Sequence, residues 1–363
     1  MLRILTLALL LFGLLLAPTA RAHEQGRSYC SVHSVPGGLD LTLETAAEHL
    51  GPVLGLASPE PSETELKNAS GRLLQTLEDR VQARTPAGAC RVEIDEPKLV
   101  TREARRQVEA TLHFHCPAGP VTLSNAFRLD VDPASEIVCA IDGAAWVFRR
   151  GAEQVDVGTP PTLGETLGSF VRSGALHVLG GIDHVLFVVV LLLAAASARA
   201  DGLGAGLRAM VGVVTGFTLG HSITLIAAGL GVIRLEPRLT ESVIALSIVY
   251  VGVENIARQQ VHARALTASL FGLVHGFGFA SVLAETELPR RGAVWALLAF
   301  NVGIELAQLA IVIVLFPLLT LLARRGFYRS GILVPGSASV ALLATLWFVK
   351  RAAGLEFLPW LGS

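Results

Sequence analysis

The chain has 363 residues, of which 52% are hydrophobic and only 16% charged, with 36 glycines. That is too apolar for a water-soluble protein of this length, and a net charge of −1 argues against a nucleic-acid partner. The apolar residues are concentrated after about residue 165.

In chain order, Met1-Leu-Arg3, the apolar run Ile4 to Leu16 and Ala20-Arg-Ala22 have the form of a secretory signal peptide, residues 1–22. An uncleaved anchor is the alternative, but the apolar run is short for a span. Cleavage after Ala22 would make His23 the mature amino terminus, whose amine and imidazole together could chelate a metal.

Residues 23–160 have ordinary polarity. Leu39–Leu43, Cys90–Ile94, Val108–His115 and Ala145–Phe148 alternate and are expected as strands with one buried face. Glu63 to Arg84 carries Leu66, Leu73, Leu74, Leu77 and Val81 at helical spacing and is expected as a helix. A small β-rich (α+β) exported domain results. All four cysteines, Cys30, Cys90, Cys116 and Cys139, fall in it. An even count in an exported domain points to disulfides, with three pairings open; Cys90–Cys116 would staple neighbouring strands and leave Cys30–Cys139. No Cys-x-x-Cys spacing supports a thiolate metal site. His113 and His115 alternate on one strand and so share a face. They read either as surface histidines or, with His23 or His33, as an exterior metal-capture point. Residues 150–165, with Pro160 and Pro161, form the linker.

Six apolar segments follow, roughly 168–196, 209–233, 240–257, 265–284, 292–322 and 331–349, each long enough to cross a hydrocarbon layer of about 30 Å. The expected fold is an all-α polytopic bundle of six transmembrane helices over residues 165–350, behind the exported domain. The expected location is the inner membrane, with the amino-terminal domain on the outer, periplasmic side and lipid as one partner. Lys and Arg nearly balance between the two sets of loops, so the signal peptide carries the orientation.

The polar residues inside these segments are the costly ones. His177-Val-Leu-Gly-Gly-Ile-Asp183-His184 opens the first, with two histidines seven residues apart, one above the other on a helix. His221 lies in the second segment, Glu254 in the third beside Asn255, His275 in the fourth, and Glu305 in the fifth between Asn301 and Gln308. Burying these groups separately in hydrocarbon would cost several kcal/mol each, so convergence on one polar cavity is expected. With no thiolate in this half, the donors are nitrogen and oxygen, which favours Ni²⁺, Co²⁺ or Zn²⁺ over Cu⁺. The candidate metal ligands are therefore His177, Asp183, His184, His221, Glu254, His275 and Glu305.

These motifs resemble the HupE/UreJ family of membrane proteins, in its branch with a long exported amino-terminal domain. The resemblance covers residues 165–350. It rests on His177 with Asp183-His184, on Phe217-Thr-Leu-Gly-His-Ser-Ile-Thr-Leu225, on Glu241 to Asn255, on Phe271-Gly-Leu-Val-His-Gly-Phe-Gly-Phe-Ala280 and on Phe300-Asn-Val-Gly-Ile-Glu305. It implies a nickel or cobalt permease associated with hydrogenase and urease maturation, and carries the first-span signature onto His177, Asp183 and His184. The better-studied branch has two histidines and a glutamate around the fourth span. Here Gly272 and Gly278 stand in the places of the first histidine and the glutamate, and His275 remains.

The expected function is a divalent-metal permease that holds no cofactor tightly and takes Ni²⁺ or Co²⁺ as its substrate. The rivals are a membrane-embedded hydrolase with Zn²⁺ on the same histidines, though no His-Glu-x-x-His motif is present, and an anchoring protein whose exported domain binds a periplasmic partner.

Overall fold

A computed structural model describes residues 27–56, 62–102, 105–131, 135–142, 144–159, 162–197, 203–233, 235–257, 264–278 and 290–353. The signal-peptide expectation and His23 lie outside the described residues. The chain divides into two compact units, one built on Gln25–Ser169 and the other on Phe170–Ser281 and Ala296–Ser363.

The first unit is β-rich. Its larger sheet contains β1 (Arg27–Val35), β2 (Gly38–Ala46), β5 (Arg91–Ile94), β6 (Lys98–Arg102), β7 (Arg105–His115), β9 (Glu136–Ile141) and β10 (Ala144–Phe148), in the order β10-β9-β1-β2-β7-β5. β5 and β6 share one edge, pairing with the two halves of β7, and only β1 with β9 is parallel. A four-stranded sheet runs β11-β8-β3-β4, from β3 (Val81–Thr85), β4 (Gly88–Ala89), β8 (Thr122–Asn125) and β11 (Gln154–Asp156). Strict alternation builds the core: Leu39, Leu41 and Leu43 of β2 and Leu112 and Phe114 of β7 turn inward to meet Phe127 and Leu77. Each such side chain contributes about 2 kcal/mol on burial.

The expected strands fall in β2, β5, β7 and β10, with Cys90 just ahead of β5. The expected helix does not run unbroken. Instead, after α1 (Leu50–Leu54), α2 (Glu63–Asn68) starts in a capping box between Ser62 and Glu65, and α3 (Ser70–Arg80) follows across Ala69. From Val81 the chain is β3, with Val81, Ala83 and Thr85 buried on alternate positions. Pairing with β8 supplies hydrogen bonds that a last helical turn would have made, and the β-branched Val81 and Thr85 fit the pleat. Cys30 and Cys139 face each other on β1 and β9 and are joined, and Cys90 is joined to Cys116 beside the β5–β7 pair.

The second unit is helical: α4 (Leu163–Gly180), α5 (Ile182–Ser197), α6 (Leu203–Gly229), α7 (Pro237–Ala257), α8 (Arg264–Gly278), α9 (Arg290–Ala323) and, behind a π-turn at Arg329–Leu333, α10 (Val334–Ala353). Among the described residues four helices are long and apolar enough to cross a membrane, and five if the bent pair α4–α5 is one span. α8 is apolar but shorter, and residues 279–284 of the expected fourth segment lie outside the described residues.

The expected first segment is not one straight helix: α4 and α5 meet at 70°. Gly180 and Gly181 sit at the break, where glycine's poor helix propensity lets the ladder end. Elsewhere backbones touch through glycine. A Cβ at Gly174 would fall on the Phe300 carbonyl and one at Gly303 on the Val171 carbonyl, so α4 and α9 cross in contact. α6 and α8 do the same, Gly272 against the Phe217 carbonyl and Gly276 against the His221 carbonyl. Asn255 ties α7 to two neighbours, donating to the Val190 carbonyl (2.7 Å) and the Ser337 hydroxyl (3.2 Å).

Candidate functional site

The break between α4 and α5 brings polar groups together that a straight helix would have stacked a turn or more apart. The His177 and His184 rings come edge to face, centroids 4.7 Å apart. They fold over Gly181, where a Cβ would lie 2.8 Å from the His177 carbonyl, 2.9 Å from His184 Nδ1 and 3.0 Å from Asp183 Oδ1. No side chain fits there, so the glycine is part of the site. On α6, His221 is fully buried, and one nitrogen from each of His177, His184 and His221 lies within 4.8 Å of the others. A small inward movement brings three imidazole nitrogens to the roughly 3.4 Å spacing of ligands about 2.1 Å from one cation.

The hydrogen bonds behind these rings fix which nitrogen is bare. Asp183 Oδ1 accepts from the His184 backbone N–H at 2.9 Å and lies 3.0 Å from His184 Nδ1, so Nδ1 carries the proton. Asn301 donates its amide to the Leu297 carbonyl (2.8 Å) and so presents its oxygen, 3.0 Å away, to His221 Nδ1. The Ser247 hydroxyl donates to the Ile244 carbonyl (2.6 Å) and can therefore only accept from His275 Nε2, at 3.2 Å. In each ring, when neutral, the second nitrogen is then an acceptor. These atoms, His184 Nε2, His221 Nε2 and His275 Nδ1, are buried without a hydrogen-bond partner among the described residues. An orphaned buried acceptor ordinarily costs about 1–3 kcal/mol, and an electrophile is the natural occupant. The three grouped nitrogens, of His177, His184 and His221, with a carboxylate behind His184, are a donor set for a borderline divalent transition metal.

His275 stands beside this group, its ring 5.4 Å from that of His184. Asp183 touches His184 from behind rather than joining the three nitrogens. Glu305 accepts from the Thr215 hydroxyl at 2.6 Å, leaving Oε2 buried with no partner among the described residues. Glu254 is two turns along α7 from Ser247 and lines a small cavity with Phe187, Asn255 and Phe271. In the first unit His113 Nδ1 lies 2.7 Å from Asp40 and its Nε2 3.6 Å from Asp95, on an exposed face, with His115 3.9 Å from Glu93.

Asn301 and Ser247 read in the sequence as ordinary polar residues of a span. Their use as orienting partners depends on contacts 80 and 28 residues away, and no local pattern signals it. Gly272, in the place of a histidine, has the Phe217 carbonyl where a Cβ would go.

Comparison with curated proteins finds no match. The family model described as HupE / UreJ protein matches residues 153–351, more than half of the chain and all of the helices that carry these histidines, and the chain belongs to that family.

Proposed function

We propose that the helical region is a permease for a divalent transition-metal ion of the nickel or cobalt type, with His177, His184 and His221 as the station the ion occupies on its way through. The observation that carries this reading is the approach of one nitrogen from each of His177, His184 and His221 to within 4.8 Å, with the Nε2 atoms of His184 and His221 buried and without a hydrogen-bond partner among the described residues while their Nδ1 atoms face Asp183 and Asn301. A family generally associated with nickel or cobalt transport supports it.

In this reading the bent pair α4–α5 is one broken span and the shorter apolar α8 belongs to a further span, giving six with α6, α7, α9 and α10. Broken spans are where transporters place ion sites, because freed backbone groups and polar side chains can face the ion there. The chain sits in the inner membrane with residues 23–160 on the periplasmic side, where they collect or gate the ion or dock a partner. Ligation by neutral nitrogen, with no thiolate, holds a nickel-type ion firmly enough to select it and loosely enough to let it go. His275 and Glu305 line the route as further donors.

The test is Ni²⁺ or Co²⁺ uptake by proteoliposomes holding the full-length protein. Wild type is expected to load them and the Asp183→Ala, His184→Ala double variant is not. Equal uptake by the two overturns the reading, and an ion that survives purification at full stoichiometry points to a resident metal and the hydrolase instead.

A further inference from the structure

Three helices run from the level of the histidines to a second polar level. On α5 the order is His184, Phe187, Leu191; on α7 it is Ser247, Val251, Glu254; on α8 it is His275, Phe271, Thr267. Each series spans seven or eight residue steps, about 10–12 Å of helix. Its far members meet: Phe187, Leu191, Val251, Glu254, Asn255 and Thr267 line one cavity. Its near members belong to the histidine group.

The partition between the two levels is aromatic. The Phe187 ring is 5.3 Å from that of His275, 5.2 Å from Phe217 and 6.0 Å from Phe271. Phe187 is almost fully buried and itself lines the Glu254 cavity, so one ring touches both levels. The donors change across it. On the near side they are imidazole nitrogens. On the far side the lining residues that carry oxygen donors are Glu254, Thr267 and Asn255, and both Asn255 N–H groups are committed to Val190 and Ser337.

We propose that the cavity headed by Glu254 is a second, all-oxygen cation station, and that Phe187 is the hydrophobic gate between it and the histidines. This rests on the permease reading. Oxygen donors hold a nickel-type ion more weakly than imidazoles do, so the second station is the one that releases it. With the amino terminus outside, α5 and α7 run inward and α8 outward, which puts Glu254 on the inner side and makes it the exit. Phe187 must move aside for each ion, and a closed ring of apolar side chains keeps water and protons from following.

The full-length protein in proteoliposomes, with Co²⁺ as the probe, separates the two levels. Two readouts are needed: the ligand-field absorption of bound Co²⁺ in detergent and the rate of Co²⁺ uptake. Glu254→Gln is expected to keep the absorption of histidine-bound Co²⁺ and to slow uptake roughly tenfold or more, the scale on which supporting ligands act. Glu254→Asp is expected to recover part of the rate. Phe187→Ala is expected to raise the rate severalfold and Phe187→Trp to lower it, both with unchanged absorption. The retained absorption shows that each variant is folded. Wild-type uptake by Glu254→Gln, or by both Phe187 variants, overturns the proposal and leaves the permease reading standing. A variant that loses the absorption also overturns it, because the residue then belongs to the histidine level. Wild-type protein that takes up no Co²⁺ at all ends the permease reading and this proposal with it.

Discussion

Histidine is used in opposite ways in the two units. In the β-rich unit His113 is partly exposed, and both of its ring nitrogens face carboxylates, Asp40 at 2.7 Å and Asp95 at 3.6 Å. Hydrogen bonding to Asp40 raises its pKa, which favours the charged form on a wet surface. In the helical unit His184, His221 and His275 are buried, each with one nitrogen engaged and the other without a hydrogen-bond partner among the described residues. A charged imidazole there would be expensive, whereas a neutral one with a free lone pair is a ligand. The difference lies less in the residue than in how many of its nitrogens the fold has already satisfied.

The same contrast holds for what keeps each unit together. The β-rich unit relies on alternating strands and two cross-links. Replacing Cys30 and Cys139 together by alanine opens a loop with a sequence separation of 109 and is expected to cost that unit about 4–5 kcal/mol. Denaturant unfolding followed at Trp146 reads the loss. The helical unit relies instead on glycine contacts between backbones. Gly272→His, which would restore the other branch's residue, drives a Cβ onto the Phe217 carbonyl and is expected to cost about 3 kcal/mol. Thermal unfolding in detergent shows it, and a stable variant would mean that α6 and α8 do not touch there.

Smaller effects sharpen the comparison of the histidines. Asn301→Leu removes the acceptor that orients His221 and is expected to weaken Co²⁺ binding about 10- to 100-fold while the fold survives. Asn301→Asp, which keeps an acceptor, is expected to restore most of it. In the β-rich unit the His113–Asp40 pair contributes at most about 1 kcal/mol, being exposed. Because the folded-state pKa is raised, that contribution is fully present below the ordinary value of 6.5 and fades as pH rises through the raised one. Unfolding midpoints between pH 5 and 8 (about one and a half units either side of free imidazole) should show this slope, and His113→Gln should remove it.

Much of the chain was legible because alternation and apolar length are local signals. Leu39–Leu43 and Val108–His115 announce β2 and β7 by period, and the long runs after residue 165 announce helices by composition. What local pattern misses is set by distant partners. Val81 keeps helical spacing with Leu77 yet starts a strand, because β8 is beside it. His177 and His184 were readable as a pair, but the 70° break that turns them toward His221 was not. Phe187 is one more apolar residue in an apolar run. Only its contacts with His275 and with the Glu254 cavity mark it.

The most direct test of the central claim is equilibrium Co²⁺ titration of the detergent-purified full-length protein, read by ligand-field absorption. Wild type is expected to show a single imidazole-ligated ion. His177→Ala, His184→Ala and His221→Ala are each expected to weaken and shift that absorption, while His113→Ala with His115→Ala leaves it in place. Unchanged affinity and absorption when His177, His184 and His221 are replaced together would contradict the account.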